Sequence, residues 1–388
     1  MLRGRGLAMV AFLIGFGSGI WLLWAFGFVD VWAADIFGGD FSAIWAGPHI
    51  LATGGDPYDS RTWLDQVAAL SVQPPPAPVY IYPGWVAVLL LPFGALDLVT
   101  AAQIWIALGL TVAAIGLFVL IDVRARRLPL LHTLLAFAVV GSEAGIVAFY
   151  SGQIDLLIVG ILGLMVAWLR TGRQGLAGVA AGVMLLKPQL FAVALPALVR
   201  LAFARGERRF LIGLGACVLA LAAVSTAILP GWWAAWIENV PAARAADLRA
   251  STLPNALRDL FGLGGLAGAY VILAASVAAA FAFSPRSRAA LPVWLAVSIS
   301  LAPYMFVYDH VVMIIPVAVA ATLTGERSRL GAIVVASAAV LILTVGGTLL
   351  HATIGVEQGT LSYNGLVQFA LTLLVIGSLW PIRREVAD

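Results

Sequence analysis

Charge and cysteine are both scarce in this chain of 388 residues. Charged residues make up 11% of the sequence and hydrophobic residues 62%, whereas a soluble domain carries roughly 25% charged residues. This deficit excludes a single large soluble core and indicates that a lipid bilayer is the solvent. Cys217, which lies in an apolar run, is the one cysteine. A single cysteine excludes an intrachain disulfide and any C-x-x-C metal or redox site.

Hydrophobic segments recur along the whole sequence, and a helix needs about 20 apolar residues to cross a bilayer. They predict an all-α polytopic membrane protein with about twelve transmembrane helices, within a range of ten to thirteen. Lys187 and Pro188 separate two short segments, so a single re-entrant hairpin that ends at Lys187 fits the pattern equally well. The predicted spans are 8–29, 98–121, 131–149, 155–169, 175–187, 189–204, 210–230, 264–283, 289–306, 309–323, 330–349 and 364–381.

The distribution of basic residues predicts how these segments are oriented in the membrane. Of the 22 Lys and Arg residues, 17 fall into clusters that twelve spans place on one side, and the positive-inside rule makes that side cytoplasmic. We therefore expect a multi-pass protein of the inner (plasma) membrane with both termini in the cytoplasm and an uncleaved N-terminal anchor. Residues 1–388 are expected to form one domain, with extracytoplasmic loops at 30–84 and 230–262 that carry short interfacial helices.

The first of these loops concentrates acidic residues. It contains Asp30, Asp35, Asp40, Asp56 and Asp59, and a carboxylate at a membrane boundary is costly unless water or a partner solvates it. Asp40 stands among glycines and can act as a general base if partial burial raises its pKa. The alternative for each of the five is an ordinary solvated loop acid.

Three other polar groups are predicted to lie near the same membrane face. Gln153 and Asp155 can bind sugar hydroxyls or hold helices together. Lys187, the only lysine, interrupts an apolar segment, so it either binds a phosphate or extends to the interface. The pair Asp309 and His310 lies among aromatic residues and can contact a phosphate or an acceptor hydroxyl, although a histidine at such a boundary is more often structural.

The order of several short motifs resembles that of the polyprenyl-phosphate-dependent glycosyltransferases of the GT-C fold, especially glycosyltransferase family 87. Each motif is short, and only their order along nearly the whole chain is specific. The motifs are Asp40-Phe41 with Trp45, Gly55-Asp56-Pro57-Tyr58, Tyr82-Pro83, Ser151-Gly152-Gln153, Leu186-Lys187-Pro188 and the late Asp309-His310.

The resemblance implies an inverting transfer of a sugar, mannose in the first instance, from a polyprenyl-phosphate-sugar to a hydroxyl of a lipid-linked or glycan acceptor. The family's catalytic acid falls on Asp40, with Asp35 as the fallback, and Lys187 and His310 become candidates for holding the donor phosphate. Sugar or acceptor contacts are expected from Gln153, Asp155, Asp56, Tyr58, Tyr82 and Asp309.

No D-x-D pattern and no soluble nucleotide-binding domain is present in the sequence. A lipid-linked donor needs neither, so we expect no cofactor, no metal ion and no nucleic-acid partner. Two alternatives remain at this stage. A transporter or flippase of lipid-linked sugars would also need polar groups at membrane depth, and an assembly factor could use the acidic loop as a partner surface.

Overall fold

A computed structural model describes residues 2–27, 40–70, 78–125, 128–245, 250–346, 349 and 363–385. Within these ranges all regular structure is helical, which confirms the predicted all-α class. Asp30 and Asp35 lie outside the described residues, so the fallback base Asp35 has no structural account.

The first part of the chain alternates long apolar helices with short ones. Short helices lie within the predicted first loop, and two more follow directly after it before the next long helix. The helices are α1 (Leu2–Ala25), α2 (Phe41–Ala52), α3 (Ser60–Ala69), α4 (Gly84–Leu89), α5 (Leu91–Gly94), α6 (Leu98–Ala125), α7 (Pro129–Gly141), α8 (Glu143–Tyr150) and α9 (Asp155–Arg170).

The second part has more interruptions. Tighter 3₁₀ turns occupy Gly182–Leu186, Val307–Met313 and Trp380–Ile382, and a π turn occupies Ile342–Gly346. The helices are α10 (Gln174–Ala181), α11 (Pro188–Phe191), α12 (Ala194–Arg205), α13 (Arg208–Ile228), α14 (Trp232–Ala245), α15 (Leu253–Phe281), α16 (Ala290–Ser300), α17 (Ile314–Gly325), α18 (Arg329–Leu341) and α19 (Asn364–Leu379).

Seven helical segments in the described part of the chain are long and apolar enough to cross a membrane. An eighth crossing results if α7 and α8, which are bent by 46° at their junction, count as one span. The protein is therefore a multi-pass membrane protein. The seven segments are Arg5–Ala25, Leu98–Asp122, Arg208–Ile228, Leu253–Phe281, Val307–Gly325, Arg329–Gly346 and Asn364–Ile382.

Four predicted spans correspond to helices that are too short to cross alone. The longest of them, α9, has 16 residues and extends roughly 24 Å at 1.5 Å per residue, against a hydrocarbon core of about 30 Å. Segments 175–187, 189–204 and 289–306 contain still shorter helices. The count of twelve is not confirmed and remains a prediction.

The break predicted at Lys187 and Pro188 is present, and a serine from another helix pairs with the backbone at the next interruption, between α11 and α12. The Ser298 hydroxyl on α16 accepts hydrogen bonds from the N–H groups of Val193 and Ala194, at 3.2 and 2.8 Å, and donates to the Leu190 carbonyl at 2.9 Å. Backbone groups without helical partners must be paired inside an apolar medium. The Ser298 hydroxyl therefore lowers the energetic cost of the interruption between α11 and α12.

The most enclosed part of the protein lies around α16 and α17. Every residue of α16 is buried, and α17 is buried over all but its last two residues. On the other side, α6 and α9 approach closely, because a Cβ atom at Gly116 would collide with the backbone of Gly160. Small residues at a helix interface allow such contact within membranes. These packed helices hold Asp155, at the start of α9, close to the 3₁₀ turn that precedes α17.

Candidate active site

A cavity opens where three irregular segments meet. They are the loop at residues 81–83, the break before α11, and residues 304–309. Its volume is about 60 Å³, and it is partly open to the outside of the protein. The lining residues are Ile81, Tyr82, Pro83, Gln153, Leu186, Lys187, Pro188, Gln189, Trp236, Tyr304, Phe306, Tyr308 and Asp309.

Lys187 lines this cavity and pairs with two aspartates, of which Asp309 also lines it. Its Nζ donates to Asp155 Oδ2 and to Asp309 Oδ1, each at 2.6 Å, and all three side chains are buried. An ammonium group has three donors, so these carboxylates occupy two of them. Buried charges need such close pairing, because removing one partner leaves an uncompensated charge.

Asp309 is fixed by its own backbone. Its second oxygen, Oδ2, accepts a hydrogen bond from the Phe306 N–H at 2.7 Å, which caps the 3₁₀ turn Val307–Met313. The Tyr308 ring covers Lys187, with Nζ 4.7 Å from the ring centroid. One short turn thus supplies both a carboxylate and an aromatic face to the lysine, and an ammonium above an aromatic ring is favourable.

Asp40 adjoins this group, although it is not itself a lining residue of the cavity. Its Oδ2 accepts a hydrogen bond from Gln153 Nε2 at 2.6 Å, and Gln153 and Tyr308, which both line the cavity, are its neighbours. Burial raises the pKa of Asp40 above its usual value, and hydrogen bonds from Gln153 and Tyr308 counteract only part of that effect. Raising the pKa of a carboxylate brings it closer to that of an effective general base.

The contact between Asp40 and Gln153 depends on the turn at residues 151–153. The Phe41 N–H donates to the Ser151 carbonyl at 3.0 Å, and Trp105 Nε1 donates to the Gly152 carbonyl at 2.9 Å. Gly152 has φ of +62°, and a Cβ atom there would lie 2.6 Å from Cβ of Phe41. Only glycine fits this conformation without strain, so the motif Ser151-Gly152-Gln153 brings the amide to the carboxylate.

Three side chains hold the loop that carries Tyr82. Tyr58 Oη donates to the Tyr82 carbonyl at 2.6 Å, Trp236 Nε1 to the Ile81 carbonyl at 2.9 Å, and Asn239 Nδ2 to the Tyr80 carbonyl at 3.0 Å. Trp236 and Asn239 belong to α14. The two long loops of the sequence analysis therefore meet at this strip of backbone, which forms one edge of the cavity.

The structure brings together Asp40, Gln153, Asp155, Lys187 and Asp309, and Tyr82 lines the same cavity. Other predicted site residues lie elsewhere. Asp56 is exposed and accepts from the Tyr58 N–H at 2.9 Å, and Tyr58 supports the Tyr82 backbone from behind. Neither lines the cavity, so their contact with substrate remains a prediction.

His310 is not among the cavity residues either. It is buried, and its Nε2 lies 3.3 Å from the Ser251 carbonyl, to which it must donate because a carbonyl only accepts. Its proposed contact with a phosphate has no support from this geometry. Among the described residues, no three His, Cys, Asp or Glu side chains are arranged to hold a metal ion, and the expectation of a metal-independent reaction is untested.

Sequence reasoning assigned no separate role to Tyr308 or to Trp236. Both line the cavity, and both belonged to aromatic runs whose composition was apparent from the sequence. Nothing in those runs distinguishes the one ring that faces a lysine from its neighbours, because that contact joins residues more than a hundred positions apart.

Comparison with protein families identifies the group to which this site belongs. The model for glycosyltransferase family 87 matches residues 80–316, which is more than half of the chain. The chain belongs to glycosyltransferase family 87. The family 87 match includes Gln153, Asp155, Lys187 and Asp309 and begins after Asp40. Comparison with curated proteins and with solved structures gives no significant match.

Proposed function

We propose that this family 87 protein transfers a sugar from a polyprenyl-phosphate-sugar to a hydroxyl group of a lipid-linked or glycan acceptor, with inversion, on the extracytoplasmic face of the inner membrane. Mannose is the first candidate sugar, and a GT-C arrangement of about twelve spans is the corresponding architecture. The observation that carries the proposal is the partly buried carboxylate of Asp40 beside the cavity that contains the Lys187 ion cluster.

In this proposal Asp40 is the general base. It removes the proton from the acceptor hydroxyl while the acceptor oxygen forms a bond to the anomeric carbon. The bond from that carbon to the phosphate oxygen breaks on the opposite face, and the bonding electrons leave with the polyprenyl phosphate. Asp40 is partly exposed, so a hydroxyl can reach it, and its raised pKa suits proton abstraction.

Lys187 is the proposed contact for the donor phosphate. Its side chain lines the cavity, and Asp155 and Asp309 use two of its three donors. The third donor can reach a phosphate oxygen as the leaving group gains negative charge. The carboxylates of Asp155 and Asp309 offset the charge of Lys187. The proposed contact between Lys187 and the phosphate therefore depends on one directed hydrogen bond rather than on an excess of positive charge.

Gln153 is the proposed contact for a substrate hydroxyl. An ionised carboxylate only accepts hydrogen bonds, so the Gln153 amide nitrogen faces Asp40 and its oxygen faces away. That oxygen is buried and has no hydrogen-bond partner within the described part of the protein. An unpaired buried acceptor costs about 1–3 kcal/mol, and a sugar or acceptor hydroxyl would satisfy it.

The test is Asp40→Asn in purified, detergent-solubilised full-length protein, assayed with polyprenyl-phosphate-mannose and lipid extracts. Asn keeps the shape of the side chain but cannot take the proton, so transfer should fall by roughly 10²–10⁴-fold. Asp59→Asn is the matched control and should retain full transfer. Unchanged transfer by the Asp40 variant would remove Asp40 as the base. Movement of the lipid across vesicles by a wild-type protein that transfers no sugar would favour a transporter instead.

A further inference from the structure

Gln189 is a polar side chain of the cavity that has no role in the reaction proposed above. It is the second residue of α11 and lines the cavity together with Lys187 and Gln153. Gln189 is partly exposed, and its side chain forms no hydrogen bond or ion pair within the described part of the protein. Since a glutamine amide has two N–H donors and an acceptor oxygen, all of these remain available to a molecule in the cavity.

The backbone that carries Gln189 is fixed by its neighbours. The Leu190 N–H donates to the Lys187 carbonyl at 3.1 Å, and the Leu190 carbonyl accepts from the Ser298 hydroxyl at 2.9 Å. The side chains of Leu190 and Phe191 are buried, so they anchor α11 in the core. A group on a fixed backbone loses less freedom when a ligand binds, and Gln189 is placed in this way beside Lys187.

Two other polar side chains of the cavity offer a substrate less than Gln189 does. Lys187 can only donate, and two carboxylates already occupy two of its three donors. Gln153 donates to Asp40 through its amide nitrogen, and its unpaired oxygen can only accept. Of these three side chains, Gln189 is the one that presents a free donor and a free acceptor together.

A sugar ring is the ligand that matches such an amide. Each hydroxyl can donate and accept, so two adjacent hydroxyls pair with the amide oxygen and the amide nitrogen at the same time. An ionised phosphate only accepts, and it would leave the Gln189 oxygen unpaired. In a polyprenyl-phosphate-sugar the sugar is bonded directly to the phosphate, so the residue that binds the sugar must lie close to the residue that binds the phosphate. Gln189 meets this requirement, because it follows Lys187 by two positions and lines the same cavity.

We infer that Gln189 is a specificity-determining residue that binds hydroxyl groups of the donor sugar while Lys187 contacts the phosphate. This inference rests on the proposed function, because it requires a lipid-linked sugar as the donor. Gln189 takes no proton and forms no covalent bond. It contributes to the sugar-dependent part of donor affinity, which is the difference in binding between the lipid phosphate with its sugar and the same lipid phosphate without it.

The experiment measures the binding of polyprenyl-phosphate-mannose and of polyprenyl phosphate to purified full-length protein, with no acceptor present. In Gln189→Leu the affinity for polyprenyl-phosphate-mannose should fall about tenfold, because leucine neither donates nor accepts a hydrogen bond. The affinity for polyprenyl phosphate should be unchanged, since the Lys187 contact remains. Gln174→Leu is the matched control, because Gln174 is a partly exposed residue at the start of α10 and does not line the cavity. It should change neither affinity.

Gln189→Asn keeps the amide but shortens the side chain, so it tests the contact without introducing an apolar group. We expect a several-fold loss of affinity for polyprenyl-phosphate-mannose, again with unchanged binding of polyprenyl phosphate. An equal loss for both lipids would overturn the inference, since it would assign Gln189 to the phosphate. Unchanged binding of both lipids in the two Gln189 variants would overturn it as well.

These measurements are independent of the proposed base, because binding requires no proton transfer. If Gln189→Leu loses the preference for the sugar-bearing lipid while Asp40→Asn retains transfer, the sugar contact stands and the proposed base is wrong. If Asp40→Asn is inactive and Gln189→Leu keeps the wild-type preference, the base stands and the inference about Gln189 is wrong. A wild-type protein that binds both lipids equally would overturn the inference too.

Discussion

Two sets of three aspartates in this protein differ in how far along the chain their partners lie. Asp56, Asp59 and Asp97 each accept a hydrogen bond from a backbone N–H two or three residues ahead. These are local turns and a helix cap, of the kind that aspartate forms wherever a chain changes direction near water. All three residues are exposed.

The second group consists of Asp40, Asp155 and Asp309, which meet their partners through the fold. Asp40 lies 113 residues from Gln153, and Lys187 lies 32 and 122 residues from Asp155 and Asp309. Long-range partners and burial mark acids whose placement the whole protein maintains. The comparison shows that the chemistry of an aspartate here follows from its partner rather than from the acidity of the segment around it.

The largest expected effect tests the long-range group. Lys187→Met leaves Asp155 and Asp309 buried without a counter-ion, and breaking a buried pair costs about 3–5 kcal/mol. We expect a large fall in Tm and loss of transfer. The triple variant Lys187→Met, Asp155→Asn, Asp309→Asn removes all three charges and should recover much of the stability without the activity. Full transfer by Lys187→Met would show that the cluster has no role in the site.

The pH dependence of transfer gives the next largest effect, and it distinguishes Asp40 from the local group of aspartates. A base must be ionised, and the pKa of Asp40 is raised by burial. Transfer should therefore be complete above that pKa and fall about tenfold for each pH unit below it. The pKa of Asp59 is instead lowered by hydrogen bonds from Thr62, so its cap stays ionised over this range. A pH-independent rate across the acidic range would contradict the assignment of Asp40.

The smallest expected effect concerns the local group. Asp59→Ala removes the oxygen that accepts from the Thr62 N–H at 2.8 Å and from its hydroxyl at 2.6 Å, so the first turn of α3 loses its cap. A slight fall in Tm with full transfer is the expected outcome. If this variant loses activity while it remains folded, the separation between structural and functional acids does not hold.

Much of the fold was predictable because each long span is encoded locally. Segments such as 98–121 and 210–230 are largely apolar and contain no charged residue, and each appears as a long helix. Segments 189–204 and 289–306 were harder to predict, since each contains a helix that is shorter than a membrane span. The structure ends α11 where a hydroxyl on α16 can satisfy the backbone, and nothing in either segment alone indicates that pairing.

The polar residues of the site were also predictable, for a different reason. Asp40, Gln153 and Lys187 are polar groups in apolar or glycine-rich surroundings, which makes them conspicuous in the sequence. Their contacts were not predictable, because pattern reasoning could not decide whether Lys187 faces a phosphate or a carboxylate. His310 shows the limit: its neighbour Asp309 faces the cavity, whereas the histidine itself turns to the Ser251 carbonyl.

The long separation between partners has a consequence for biosynthesis. Asp40 is made 113 residues before Gln153, and Lys187 is made 122 residues before Asp309. During synthesis, which proceeds from the N-terminus, Lys187 has Asp155 as its single counter-ion until the segment with Asp309 has been inserted. A nascent chain that stops before that point lacks Asp309, so the candidate active site is incomplete until late in the assembly of the protein into the membrane.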